Sequence, residues 1–222
     1  MRILSSTNVI STFLALLFFI SLTADAAFYD SRSEKWEFYL APQFTNSKNL
    51  QFENGSEAFI NERSSIGFGF GYNLNHHIEL SGAFSSGNSN VTGTVILDDG
   101  SNTPQNFTST FYTSSLNFGF TYNIFSTPFT PYVTANLGTT FIDSNIVVEG
   151  APPYCWWGYW GYTCSVQTHT TTELNYGAAL GLRWDFNRKV YIKGEAGKNY
   201  LDLGSSNTPD FTTYRFIVGL MF

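Results

Sequence analysis

The sequence is poor in charged residues. Only 13% of its 222 residues are Asp, Glu, Lys or Arg, whereas the surface of a soluble domain is usually rich in Lys and Glu. Its Lys and Arg residues number eleven, form no basic cluster, and leave a formal net charge of -6. This composition argues against a soluble domain and against nucleic acid as a partner.

Long apolar runs are missing as well. The longest, Phe13–Leu22, is about half of the ~20 residues that a membrane-spanning helix needs. It follows Arg2 and precedes Ala24-Asp25-Ala26, a small-x-small site. A basic start, an apolar run and such a site are typical of a secretory signal peptide. We therefore predict a signal peptide at residues 1–26 and one mature domain at residues 27–222.

Cysteine is scarce, with only Cys155 and Cys164 in the chain. In an exported protein two such residues are expected to form a disulfide. Together with the distant His169 they do not match the ligand spacing of a zinc site. The sequence therefore predicts neither a metal nor another cofactor.

The chain does have a strict alternation of apolar and small polar residues. From Ile66 to Leu74, large apolar residues take every second position and Gly or Asn takes the others. The final segment alternates in the same way, with its large apolar residues at Tyr214, Phe216, Val218, Leu220 and Phe222. A period of two indicates β-strands with one apolar face.

Eight segments follow this pattern. They are Lys35–Phe44, Ile66–Leu74, Ile78–Ser85, about Phe111–Ile124, Tyr132–Phe141, Thr172–Phe186, Val190–Gly197 and Tyr214–Phe222. Long connections alternate with short ones, and the apolar residues before Asp98 suggest that one pair of strands continues beyond the membrane as a hairpin. Eight strands can close into a barrel without exposed edges.

The alternating final strand that ends in Phe222 resembles the assembly signal of bacterial outer-membrane β-barrels. The whole mature chain resembles the eight-stranded type, which includes the OmpA transmembrane domain, OmpX and opacity-like surface proteins. The resemblance implies an all-β, antiparallel, up-and-down transmembrane barrel in a Gram-negative outer membrane. It also implies contact with outer-membrane lipid, lipopolysaccharide, periplasmic chaperones and the barrel assembly machinery. It fixes no activity, because members of the family differ in function.

The chemistry of the two faces indicates which one lies inside. A soluble barrel would carry many long charged side chains on its polar face, but here that face is mostly Gly, Ala, Ser, Thr and Asn, which fit a narrow lumen. A Lys or Arg facing lipid costs roughly 2 to 4 kcal/mol at the midplane. Six charges that fall well inside strands all take the polar parity: Glu37, Glu79, Arg183, Lys193, Glu195 and Arg215.

These six charges predict a salt-bridge cluster in the lumen. One interpretation is a gate or selectivity constriction. The other is that the charges fill and stiffen the lumen, because buried charges must be paired. The second interpretation is favoured.

The third long loop carries an aromatic segment between the two cysteines, formed by Trp156, Trp157, Tyr159, Trp160 and Tyr162. These rings could pack over the barrel mouth or lie on the outer leaflet. A rigid display of Tyr and Trp also resembles a binding hot spot for an extracellular protein or glycan. The sequence leaves these alternatives open.

An enzyme would need a nucleophile and base, or a paired carboxylate and His, at the outer rim. His169 with Ser165 and Glu173 is the one candidate set, and it is weak because Ser and Thr abound here. The sequence favours a non-enzymatic outer-membrane barrel whose loops serve contact, adhesion or envelope structure. The alternative is a small pore for ions or solutes, and an outer-leaflet lipid-modifying enzyme comes third.

Overall fold

The structure, a computed structural model, describes residues 32–51, 55–96, 104–148, 152–158, 161–202 and 208–222. The predicted signal peptide at residues 1–26 lies outside these ranges. Within them, no helix combines the length and apolar character needed to cross a membrane. The described strands are β1 (Trp36–Thr45), β2 (Lys48–Gln51), β3 (Glu57–Ile60), β4 (Arg63–Asn73), β5 (Ile78–Ile96), β6 (Pro104–Asn123), β7 (Phe129–Val147), β8 (Tyr154–Gly158), β9 (Gly161–Ser165), β10 (Thr168–Asp185), β11 (Val190–Asp202) and β12 (Asp210–Met221).

Eight of these described strands close into an antiparallel barrel. Around the barrel the order is β1, β4, β5, β6, β7, β10, β11 and β12, and every neighbouring pair is hydrogen bonded. The barrel closes where β1 meets β12, with Phe38 opposite Leu220 and Leu40 opposite Val218. The predicted eight-stranded, up-and-down barrel is therefore confirmed.

Several strands are longer than the sequence pattern predicts. The β5–β6 pair runs without interruption from Ile78 opposite Tyr122 to Ile96 opposite Pro104, so the predicted extended hairpin is present. The expected loop at residues 45–64 contains the β2–β3 hairpin, and β3 continues the wall by pairing with β5. These extensions lie above the apolar band, where the outer face meets water instead of lipid and the alternation that marks a membrane strand is lost.

The apolar face points outward along the barrel. Along β12 the large side chains of Phe216, Val218 and Leu220 are 43–53% exposed. Ile217 and Met221, which take the opposite parity, are buried in the lumen. Near the end with the short turns, the Trp36 and Tyr72 rings pack side by side on this outer face, 4.9 Å apart. The outer surface is therefore an apolar belt with aromatic residues at its edge, as expected of a strand barrel in lipid.

Charged side chains mark where the belt ends on the opposite side. Lys198 and Asp210 take outward positions beyond the belt and form an ion pair of 2.7 Å. Lys48 also binds Asp210 and so links the β2–β3 hairpin to β12. Hydrogen bonds from Lys198 and Lys48 hold the pKa of Asp210 well below its usual range. This charged rim places the long hairpins on the outer, water-exposed side of the barrel.

Candidate functional site in the lumen

The lumen near the short turns holds a buried network of charges. Arg183 lies at its centre and is fully buried. Its Nη2 donates to Glu37 at 2.6 Å, its Nη1 to Glu79 at 3.0 Å and its Nε to Asp185 at 2.7 Å. Lys193 Nζ lies 2.7 Å from a Glu79 oxygen and 3.6 Å from Glu37. Four strands, β1, β5, β10 and β11, thus meet through their inward-facing charges.

Arg32 completes the charge balance of this network. Its side chain is fully buried, and its Nε lies 3.4 Å from Asp185. Three acids then face three bases, so the group carries no net formal charge. We call these six residues the ion cluster: Arg32, Glu37, Glu79, Arg183, Asp185 and Lys193.

Sequence reasoning missed two members of the ion cluster. Asp185 is two residues from Arg183 and shares its inward parity, which was a usable signal, but it lies next to the end of the predicted strand Thr172–Phe186 and not well inside it. Arg32 precedes the first predicted strand, so no periodic pattern indicated where it lies. Its position depends on the contact with Asp185, 153 positions further along the chain, which no local pattern encodes.

Tyrosine rings fill the space around the ion cluster. Tyr191 and Tyr132 are 0% and 1% exposed. The Arg183 guanidinium lies 4.4 Å from the centre of the Tyr191 ring, a cation–π geometry. Tyr191 also crosses Gly219 of the neighbouring strand so closely that a Cβ there would fall 2.2 Å from its Cζ atom. Small residues on one strand therefore make room for aromatic rings from the next.

The predicted cluster of six charges is divided in the structure. Glu195 and Arg215 do not join the other four but form their own pair at 3.2 Å, one layer closer to the outer side. Tyr132 Oη donates to Glu195 at 2.8 Å, and Arg215 Nε donates to the Gln43 side chain at 3.3 Å. The division follows from register, because residues of one parity lie at different heights along the barrel axis.

Above the Glu195–Arg215 pair the lumen is hollow. A cavity of about 320 Å³, which we call the upper cavity, extends from this pair to the β2–β3 and β5–β6 hairpins. Amides and hydroxyls such as Asn175, Ser115 and Thr140 line its lower part. Apolar residues such as Val91 and Phe111 line its upper part. The lumen is thus filled at one end and hollow toward the other.

A family model for the outer membrane protein beta-barrel domain matches residues 12–222. The chain belongs to this family. Its fold is similar to that of OprG from Pseudomonas aeruginosa, at 10% identity and a TM-score of 0.52, with 87% of this chain and 99% of that chain covered. It is likewise similar to Neisserial surface protein A, at 12% identity and a TM-score of 0.50, with 87% and 98% covered. None of the curated proteins matches the sequence.

Membership of the family places the protein in the outer membrane, spanning it repeatedly with strands. The predicted assembly signal lies on β12 and the residue that follows it, and its five side chains are all exposed on the outer face: Tyr214, Phe216, Val218, Leu220 and Phe222. The ion cluster lies toward the periplasmic side of the outer-membrane barrel, and the hairpins lie toward the exterior.

The aromatic segment of this outer-membrane barrel forms a separate hairpin. Cys155 and Cys164 occupy facing positions of β8 and β9 and are joined by a disulfide. In the described part of the chain, these two strands pair only with each other. The Trp157 and Tyr162 rings lie 5.7 Å apart and are 80% and 62% exposed. Trp156 is exposed too, while Tyr159 and Trp160 lie outside the described residues.

The candidate catalytic set is not assembled as one unit. The His169 backbone carbonyl accepts a hydrogen bond from Ser144 Oγ at 2.9 Å. Glu173 accepts one from the neighbouring Thr171 hydroxyl at 2.5 Å. Among the described residues, no hydrogen bond joins the His169 ring to Ser165 or Glu173. The geometry therefore offers no activated nucleophile or oriented base at these positions.

Proposed function

We propose that this protein is a non-enzymatic, non-conducting outer-membrane barrel that holds surface hairpins in place for contact with the cell's surroundings. The observation that carries the proposal is the filled lower lumen. Four charged members of the ion cluster, Glu37, Glu79, Arg183 and Lys193, are at most 4% exposed, and Tyr132 and Tyr191 occupy the remaining width. Packing of this kind supports a lumen without a continuous water path for an ion.

The exterior of the barrel supports a role in contact. The β5–β6 and β7–β10 pairs extend well beyond the apolar belt, and the disulfide-bonded β8–β9 hairpin presents exposed Trp157 and Tyr162. Aromatic side chains on a rigid support provide a large contact area at a small entropic cost. The ligand class that fits them is an extracellular protein or glycan, with lipopolysaccharide as the constant neighbour.

Assembly is part of the same proposal. The outward row on β12 that ends at Phe222 would be read by periplasmic chaperones and by the barrel assembly machinery. The row serves a second purpose after insertion, because the same side chains then face lipid.

A small pore is the second candidate, and the upper cavity is the observation that favours it. In this alternative the ion cluster would act as a gate that opens by rearranging its ion pairs. The two functions differ in one measurable property, the conductance of the folded barrel at rest.

The test is to refold the mature chain, confirm folding by the gel-mobility shift between unheated and heated samples, and record conductance in a planar bilayer. We expect a silent barrel. Replacing Glu79 and Lys193 together by Ala removes one acid and one base from the cluster, and should produce steady openings. The matched control removes the exposed Lys198 and Asp210 in the same way and should stay silent. Steady, discrete openings of the unmodified barrel would reject the proposal in favour of the pore.

A further inference from the structure

The upper cavity has the properties of a small-molecule site. Its volume of about 320 Å³ lies at the lower end of the range for ligand pockets, roughly 300 to 1,000 Å³. Val91, Phe107, Phe111 and Ile142 provide apolar walls, and Val91 is almost completely buried. Ligand pockets are usually lined by apolar groups with a few polar groups that fix orientation.

Arg63 is the polar group that distinguishes this cavity. Its guanidinium is partly buried in the cavity wall at the start of β4. Nη1 donates to Thr113 Oγ1 at 3.0 Å, while Nε is buried without a hydrogen-bond partner. Within the described part of the chain no carboxylate lies within 4.0 Å of this guanidinium. Glu57 also lines the cavity, but it accepts its hydrogen bond from the Gln51 side chain.

The other arginines of the lumen are neutralised. Arg183 binds three carboxylates, and Arg215 is paired with Glu195. A buried charge is costly unless it is paired, so protein interiors normally supply a counterion. Arg63 is a partly buried cation for which the described residues supply no such counterion. A ligand that carries an anionic group would supply the counterion that Arg63 needs.

We propose that the upper cavity binds a small amphipathic monocarboxylic acid, with its carboxylate on Arg63 and its apolar body against Val91, Phe111 and Ile142. A planar guanidinium suits a carboxylate because it can donate two parallel hydrogen bonds. The upper cavity lies on the exterior side of the ion cluster, so a ligand that enters from outside needs no path through the ion cluster. This inference goes beyond the proposed function and does not depend on whether the barrel conducts.

The test uses the mature barrel in nanodiscs of zwitterionic lipid and follows binding by ¹⁹F NMR. The probe is 4-(trifluoromethyl)benzoate, and the neutral comparison is 4-(trifluoromethyl)benzamide, which has nearly the same shape. Nanodiscs without protein give the contribution of partition into lipid. We expect the acid to bind at least about tenfold more tightly than the amide, equivalent to about 1.4 kcal/mol.

Arg63→Gln should remove this preference by weakening acid binding about tenfold while leaving amide binding unchanged. Lys198→Gln, which removes an exposed cation outside the cavity, is the matched control and should bind both probes like the unmodified barrel. Equal binding of acid and amide to the unmodified barrel, or unchanged acid binding in Arg63→Gln, would overturn the proposal.

A second variant keeps the test decisive if Arg63→Gln does not fold. Ala58 is buried on the β3 side of the cavity, where β3 continues the wall above the membrane, so Ala58→Trp fills the cavity without altering the membrane-spanning part of the barrel. Binding of both probes should be lost. Retained binding in this variant would place the probe elsewhere and would also contradict the proposal. Neither result bears on conductance, so failure here is distinct from failure of the proposed function.

Discussion

The two ends of the lumen are built from the same inward parity but differ in what they hold. Near the periplasmic side, the ion cluster and the rings of Tyr132 and Tyr191 fill the barrel to its axis. Toward the exterior, residues of modest size such as Ser115, Thr140 and Asn175 line the wall, and the upper cavity remains. Side-chain length, and not backbone geometry, therefore decides whether a barrel of eight strands is closed or hollow.

The two ends of the lumen also differ in the partners of their arginines. Arg183 is surrounded by three carboxylates, whereas Arg63 has a hydroxyl as its one hydrogen-bonded partner among the described residues. All three nitrogens of Arg183 bind carboxylates and the side chain is fully buried, so it serves to stabilise the barrel and is not accessible to a ligand. An arginine without an acid is available for recognition. We therefore propose a structural role for the periplasmic half of the lumen and a binding role for the outer half.

Removing the charge of Arg183 should lower the free energy of unfolding by the largest amount. Arg183→Met leaves Glu37, Glu79 and Asp185 close together with less positive charge between them. Breaking a buried ion network in this way costs about 3 to 5 kcal/mol. Urea unfolding of the refolded barrel in lipid vesicles measures the loss, and Lys198→Met is the surface control, expected within about 0.5 kcal/mol of the unmodified barrel. A loss below about 1 kcal/mol in Arg183→Met would remove the distinction between the two halves.

Overpacking the periplasmic end of the lumen should lower the free energy of unfolding by a smaller amount. Gly219→Ala would place a Cβ 2.2 Å from the Tyr191 ring, and forcing extra atoms into a packed core costs about 1 to 3 kcal/mol. Gly194→Ala is the matched control because a Cβ there has no neighbour within 4 Å. The same unfolding measurement should separate the two variants. If both are equally stable, the Tyr191 ring can move aside and the lower lumen is less tightly packed than the structure indicates.

Neutralising the upper arginine should change stability least. Arg63→Gln loses the Thr113 hydrogen bond, worth about 1 kcal/mol, but also removes a partly buried charge that has no acid partner, and these two effects offset each other. We expect an unfolding free energy within about 1 kcal/mol of the unmodified barrel, measured as above. A loss near that of Arg183→Met would mean that Arg63 has a structural role, and would weaken the assignment of the cavity to binding.

Much of the barrel was predictable because a strand in lipid must alternate. The apolar rows of β4 and β12 were identified from period two. The chemistry of the two faces then indicated that these rows point outward and that Glu37, Glu79, Arg183 and Lys193 point inward. The strand ends beyond the membrane were missed, since hydrogen-bonded pairing continues there without an apolar face. Arg63 was missed for the same reason, because it fell in a stretch interpreted as loop. The signal peptide at residues 1–26 stays a prediction.

By itself, the sequence determined the class of fold and the face on which each strand residue lies. Both follow from local chemistry, because alternation is written in adjacent residues and lipid excludes charge. Only the tertiary structure decided which inward residues meet. Arg183 reaches Glu37 across 146 positions of sequence, while Arg215, with the same parity, belongs to another layer. Height in the barrel is set by the register of all the strand pairs together, and no single segment contains that information.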